Sequence, residues 1–313
     1  MLTYTLRRLL LALPTVLLVS FLVFGMIRFL PGDIATAKLG EGYTEEAARR
    51  IRAQYGLDKP WPQQFLRYLA GITRGDLGRA ESGQTVTAEI RARYPVTLEL
   101  ALLAVAFAAL IGIPIGVLSA VRQDSPADYL ARGGAVLFLA VPGFYLATLL
   151  QSLFSIRWGI NIASIHYTPL TQNPLANLQQ MWLPALILSL GTAAQVMRMT
   201  RAMMLEVLRQ DYIRTATAKG LHRGVVLTRH ALRNALMPVV TIFGLTMAFL
   251  IGGTVIFESI FSLPGMGRYL IEAVTRRDYA AVQGITLVFA VSVVLINLIV
   301  DLSYTWLDPR HRV

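Results

Sequence analysis

Six long apolar runs alternate with polar segments along the chain: Leu9–Leu30, Pro95–Val121, Gly133–Ile156, Leu183–Met199, Val239–Phe257 and Ala280–Tyr304. A helix crossing the hydrocarbon layer needs about 20 apolar residues, so each run reads as a membrane span, Leu183–Met199 being the shortest. Ala35-Thr36-Ala37 looks like a small-residue cleavage site. The first run is nevertheless longer than the roughly 7–15 apolar residues of a signal peptide and reads as an uncleaved anchor, with Arg28 free to snorkel at its far end. The pattern predicts an all-α integral membrane protein of six transmembrane helices with both termini on one side.

Two polar segments stand out between the spans. Residues 31–94 predict a small domain outside the membrane. There Thr44 caps a helix with Glu45 and Glu46 in its first turn, Arg49 and Arg50 follow at i+4, and Gly56 closes it. A second amphipathic piece covers Gln63 to Leu69. Thr200 to Pro238 holds a short helix, with Asp211 expected as its N-cap, Lys219 at its C-terminus and Gly220 just beyond. The organisation is thus an N-terminal region 1–94, a membrane domain 95–304 carrying the loop 200–238, and a tail 305–313.

Composition agrees: 55% of residues are hydrophobic and 15% charged, the balance of a membrane protein. The lack of cysteine excludes disulfides and thiolate metal sites. A net charge of +11 suggests nucleic acid until the charges are placed. With the N-terminus inside, the inner segments hold fourteen basic residues, Arg201 and Arg214 among them, against six acidic ones, including Asp124, Asp128 and Glu206. The outer segment 158–182 has no charged residue. That asymmetry is the positive-inside pattern, so the charge reports orientation and nucleic acid drops to a minor alternative.

Within the spans, Pro142-Gly143 interrupts the third run, Pro114 lies in the second, and Gly112 and Gly116 form a GxxxG face suited to close helix approach. These are expected hinge and packing positions, together with Pro238. Glu99 and Glu258 fall near outer ends and Asp301 near an inner end, where each reads as able to reach an interface. A proton-driven carrier usually keeps an acid or histidine deep in the membrane, and none is evident. The chain has no HExxH pattern and no GxxxxGK[ST] loop, so no catalytic set and no nucleotide site is expected on it.

The basic loop also carries a family resemblance. Met204-Leu205-Glu206-Val207-Leu208, Asp211-Tyr212-Ile213, Ala216, Ala218-Lys219-Gly220-Leu221, Arg229 to Leu236 and Pro238 resemble the cytoplasmic EAA loop of binding-protein-dependent ABC importer permeases of the dipeptide, oligopeptide and nickel branch. Phe261 to Gly267, Arg277-Asp278-Tyr279 and Leu307-Asp308-Pro309-Arg310 continue it. Pro31-Gly32-Asp33, Gly56 to Pro60, Gly75 to Gly78, and Pro95 with Thr97 to Leu100 extend it through the N-terminal half. Counting back from Gly220, the general pattern has Glu and Ala where this chain has Arg214 and Thr215, and Pro238 lies further along than usual.

The resemblance implies a type I ABC importer permease in a bacterial or archaeal inner membrane, both termini cytoplasmic. It implies pairing with a second, homologous permease, two ATPase subunits docked on the EAA loops, and an extracytoplasmic solute-binding protein. ATP and Mg would sit on the ATPases and no cofactor on this chain. The coupling residues it marks are Glu206, Asp211, Tyr212, Arg214, Thr215, Ala216, Lys219, Gly220 and Leu221. The competing expectation is a gradient-driven carrier or channel, for which Glu99 is the residue to test. Tyr167, Asn161, Gln172 and Asn173 in the outer segment suit a peptide backbone or an ordinary polar loop.

Overall fold

The structure, a computed structural model, describes residues 2–29, 39, 42–55, 58–159 and 167–307. Pro31-Gly32-Asp33, Ala35-Thr36-Ala37, Gly56-Leu57, Asn161 and Asp308-Pro309-Arg310 lie outside the described residues, as do the side chains of Arg28 and Asp301. The helices are α1 (Leu2–Phe29), α2 (Glu45–Tyr55), α3 (Trp61–Thr73), α4 (Val86–Val121), α5 (Pro126–Ala140), α6 (Gly143–Trp158), α7 (Pro174–Leu208), α8 (Asp211–Ala218), α9 (Arg223–Ala235), α10 (Met237–Gly253), α11 (Val255–Ile260), α12 (Met266–Thr275) and α13 (Tyr279–Leu307). Among the described residues there is no strand, only an isolated antiparallel bridge between Arg79 and Thr85.

All six apolar runs fall on helices, with corrected limits. Helices α4, α7 and α13 are long and apolar enough to cross a membrane alone, and the pairs α5–α6 and α9–α10 are long enough together. The expected span 133–156 is two helices meeting at 92°, not one kinked helix. Val141 is extended there, and Pro142, without an N–H, begins α6. The expected span 239–257 likewise divides at Thr254. Helix α7 extends well beyond 183–199, because Asn173 caps it, accepting from the Ala176 N–H at 3.1 Å, with Pro174 in the first turn.

The chain forms two compact units, Met1–Pro95 with Gly265–Leu298, and Val96–Pro264 with Ile299–Val313. In the first, Phe21 and Phe24 of α1 meet Trp61 and Phe65 of α3 at ring distances of 5.3–5.6 Å. Thr44 caps α2 and the Glu46–Arg50 pair closes at 2.8 Å, as the spacing predicts. Helix α4 begins at Val86, nine residues before the apolar run. Val86 and Ile90, one turn apart, bury themselves against Met266, Tyr269, Ala273 and Ile285, and that amphipathic face carries the helix through polar sequence. The boundary drawn at 94/95 therefore falls inside a continuous helix.

In the second unit the core packs Val96 and Leu100 of α4 against Ala147 of α6, Met181 and Ala185 of α7, and Phe257, Phe261 and Leu263. Gly112 and Gly116 lie where α4 and α7 approach closely. A Cβ at Gly112 would stand 2.7 Å from the Ala193 carbonyl oxygen, and one at Gly116 would stand 2.7 Å from that of Met197. Only glycine lets the two backbones come so near.

Candidate functional site

The loop between α7 and α10 is built around α8. Helix α7 ends at Leu208, where the Arg209 N–H bonds back to the Glu206 carbonyl at 3.3 Å and the Gln210 N–H to that of Val207 at 3.1 Å. Gln210 then turns the chain in an extended conformation. Asp211 is the first residue of α8 and not its N-cap, a correction of one position: Gln210 occupies the cap site and its side chain makes no capping bond. Asp211 still places a negative charge in the first turn, where the helix dipole favours it. Its carboxylate reaches Arg214 at 3.5 Å, both side chains being exposed, a pairing of little energetic weight.

The far end of α8 matches expectation. Lys219 is the C-cap and Gly220 takes a φ of +78°. The Gly220 N–H bonds to the Thr217 carbonyl at 3.0 Å and the Leu221 N–H to that of Ala216 at 3.4 Å. Those two bonds define a Schellman stop, which needs the left-handed residue that glycine supplies without a Cβ penalty. A Cβ at Gly220 would meet nothing within 4 Å, so its role is conformational.

One face of α8 is fastened to the protein. Ile213 and Ala216 are buried among Ala120 of α4, Met204 of α7, and Val226, Ala231 and Ala235 of α9. The Tyr212 hydroxyl accepts a 2.9 Å bond from Asn234, whose amide also donates to the His230 carbonyl. The Arg214, Thr215, Lys219 and Leu221 side chains lie on the open side, with Tyr212 44% and Leu221 41% exposed. Glu206, in the last turn of α7, is exposed as well. Ala216 thus faces inward, whereas the other expected coupling residues lie at the surface.

Helix α9 opens with His222 accepting from the Gly224 N–H at 3.2 Å, and over Val226–Leu232 it winds as a π-helix. It meets α10 at 51°, with Leu236 between them and Pro238 in the first turn of α10. Pro238 lies where a missing N–H is tolerated and a continuing straight helix is not.

Three pairings join residues that the sequence does not show to be partners. Asp128, fully buried, binds Arg201 with two bonds of 2.8 and 2.7 Å and also accepts from Ser119. Glu258 does not reach an interface as expected. It is fully buried and its Oε1 accepts from Thr97 at 2.7 Å and Thr254 at 3.0 Å. Glu99 accepts a 2.9 Å bond from Tyr167, whose hydroxyl also accepts from Asn177. Tyr167 and Asn173 therefore have structural partners of their own. The only sequence signal for any of these was a charge inside or beside an apolar run.

The family described as the binding-protein-dependent transport system inner membrane component matches residues 112–313, and its N-terminal companion family matches residues 1–101. The chain is 41% identical to the dipeptide transport system permease protein DppB of Escherichia coli (strain K12), covering 100% of this chain and 99% of that one. It is 44% identical to a putative peptide transport system permease protein of Brucella abortus (strain 2308), over 98% of each. In fold it is similar to a chain of the inward-facing MetNI methionine ABC transporter, with a TM-score of 0.54 and 18% identity over 70% of this chain and 96% of that one. These likenesses identify the type I importer permease fold and a multi-pass inner-membrane protein. The chain belongs to the inner-membrane components of binding-protein-dependent transport systems, and it is a permease subunit of an ABC importer.

Proposed function

We propose that this subunit forms part of the path of a peptide importer and is driven through α8 by an ATPase on the cytoplasmic side. The observation that carries this is the construction of α8: a two-turn helix fixed on one face by Ile213, Ala216 and Tyr212 and stopped by Gly220. Its other face offers Arg214, Lys219 and Leu221 to a partner. A short, rigidly held helix with a mixed basic and apolar outer face fits a groove on another protein. The peptide substrate class follows from the names of the relatives in E. coli and B. abortus.

In this reading a second, similar permease completes the path, two ATPases hold ATP and Mg, and an extracytoplasmic binding protein delivers the solute. Both termini face the cytoplasm, in keeping with the basic excess on that side. Asp211, Gly220 and Pro238 set the geometry of the loop, and Pro142-Gly143 and the Gly112–Gly116 seam set that of the spans.

The test is a substitution at Gly220. A β-branched residue held at positive φ is strained, and for ordinary L-residues the left-handed conformation costs about 1–2 kcal/mol. Asn accepts it more readily. Gly220→Val should insert in the membrane at normal levels, lose co-purification with the ATPase and stop peptide uptake, while Gly220→Asn keeps both. Uptake by Gly220→Val at the wild-type rate, or uptake by the wild-type permease without an ATPase, would overturn the proposal.

A further inference from the structure

The buried ion pair between Asp128 and Arg201 joins three helices at one end of the second unit. Ser119 comes from the last turn of α4, Asp128 from the first turn of α5, and Arg201 from α7. Both carboxylate oxygens are fully used. Oδ1 accepts from Ser119 and from Arg201 Nε at 2.8 Å, and Oδ2 accepts from Arg201 Nη2 at 2.7 Å and from the Asp124 N–H at 3.0 Å. Asp124 holds a φ of +59°, so the same carboxylate also fixes the tight turn between α4 and α5. A forked guanidinium on a fully buried carboxylate is geometrically demanding, and its value lies in fixing one arrangement.

The location connects this pair to α8. Arg201 stands one turn before Met204, which is fully buried against Ile213 and Ala216 of α8. Ser119 adjoins Ala120 of the same cluster. Thr200, next to Arg201, lies against Gly116. Contacts therefore run from α8 to α7 through Met204 and to α4 through Ala120. They continue to α5 through Asp128, and α5 ends at the 92° break before α6.

We propose that the Asp128–Arg201 pair is a positioning element for transport: it makes the inner ends of α4, α5 and α7 move as one body, so that displacement of α8 is delivered to the α5–α6 break and is not absorbed by sliding between helices. This rests on the reading that α8 receives an ATPase. Asp128 and Arg201 touch neither solute nor nucleotide in this scheme and act only by keeping three helices in register.

The experiment uses the complete importer in proteoliposomes, with radiolabelled dipeptide taken up and ATP hydrolysed measured together. Asp128→Asn leaves Arg201 facing a neutral amide. The paired replacement Asp128→Leu with Arg201→Met removes both charges and leaves neither stranded, so it assembles even if the single variant does not fold. The expected result for the pair is an assembled complex that still hydrolyses ATP but moves about tenfold less dipeptide per ATP, a loss typical of broken coupling between sites. Spin labels at the exposed positions 132 on α5 and 202 on α7 should keep one distance in the wild type with and without trapped ATP, and spread to several in the paired variant. A wild-type ratio of dipeptide to ATP in the paired variant would overturn the proposal, and so would a wild-type label distance that changes with nucleotide. Failure of the ATPase reading would show separately, as a wild-type permease that takes up dipeptide without an ATPase.

Discussion

Replacing Gly116 by Ala tests the α4–α7 seam, because the structure sets a penalty against a known gain. An added Cβ would lie 2.7 Å from the Met197 carbonyl oxygen and 2.7 Å from Thr200 Cβ. Carbon to carbonyl oxygen is comfortable at about 3.3–3.6 Å, and carbon to carbon at about 3.5–4.0 Å. The helices would have to separate by several tenths of an ångström, and a backbone carbonyl cannot swing aside as a side-chain tip can. Overpacking of this kind costs about 1–3 kcal/mol. Exchanging Gly for Ala inside a helix returns about 0.5–1 kcal/mol. Gly133 and Gly134 of α5 supply the control, since a Cβ at either meets nothing within 4 Å, and there the helix gain stands alone.

Gly116→Ala should therefore be less stable than Gly133→Ala by about 1–3 kcal/mol, the overpacking penalty itself. Gly112→Ala should behave like Gly116→Ala, its Cβ falling 2.7 Å from the Ala193 carbonyl oxygen. Together the two should cost less than their sum, since one separation of the helices relieves both clashes. The assay is heat treatment of the purified protein in detergent, followed by size-exclusion chromatography, which ranks the variants by the temperature at which half remains monodisperse. Gly116→Ala surviving to the same temperature as Gly133→Ala, or higher, would refute the argument that the seam is closed.

Two further predictions concern groups outside that seam. Thr97→Val removes a donor from the buried Glu258 carboxylate and should cost about 1–3 kcal/mol in the same heat assay. Thr97→Ser, which retains the hydroxyl, should behave like wild type, and equal stability of the two variants would count against a hydrogen-bonding role. Tyr269 of α12 has its hydroxyl pushed up to about 12, first by burial and then by the charge of Asp278. The folded protein thus favours the neutral phenol. The stability this contributes is complete below pH 10 and is lost between pH 10 and 12. The phenolate absorbance of wild type minus Tyr269→Phe should rise only toward pH 12 in the folded protein, and a rise centred on pH 10 would contradict the assignment.

What the sequence made legible was whatever depends on neighbours along the chain. The Gly220 stop is decided by the conformation of one residue, Pro142-Gly143 by a missing N–H, and the Gly112–Gly116 face by helical spacing. In the structure Gly220 has a φ of +78°, Pro142 stands at a 92° break between two helices, and Gly112 and Gly116 lie against α7. The limits of α4 and α7 were misjudged because hydropathy records where lipid can lie and not where a helix ends. Val86 and Ile90 extend α4 by packing on partners almost two hundred residues away, and Asn173 starts α7 by capping it.

The charges were the least legible part. Counting Asp128 and Arg201 among inner residues of opposite sign gave an orientation, but a sum over loops discards which charge meets which. Seventy-three residues separate these two in sequence, and neither lies in a motif that spacing could mark. Glu258 illustrates the same loss: its position near a span end suggested reach to the interface, whereas its donors arrive from α4 and from one turn earlier. A buried charge is recognised only by what neutralises or solvates it, and in a helical membrane protein those partners come from other helices. The short helix α8 could therefore be read in outline from its own residues. How it is fastened to the spans, through Met204, Ala120 and the ion pair beside them, is set by contacts that only the folded chain brings together.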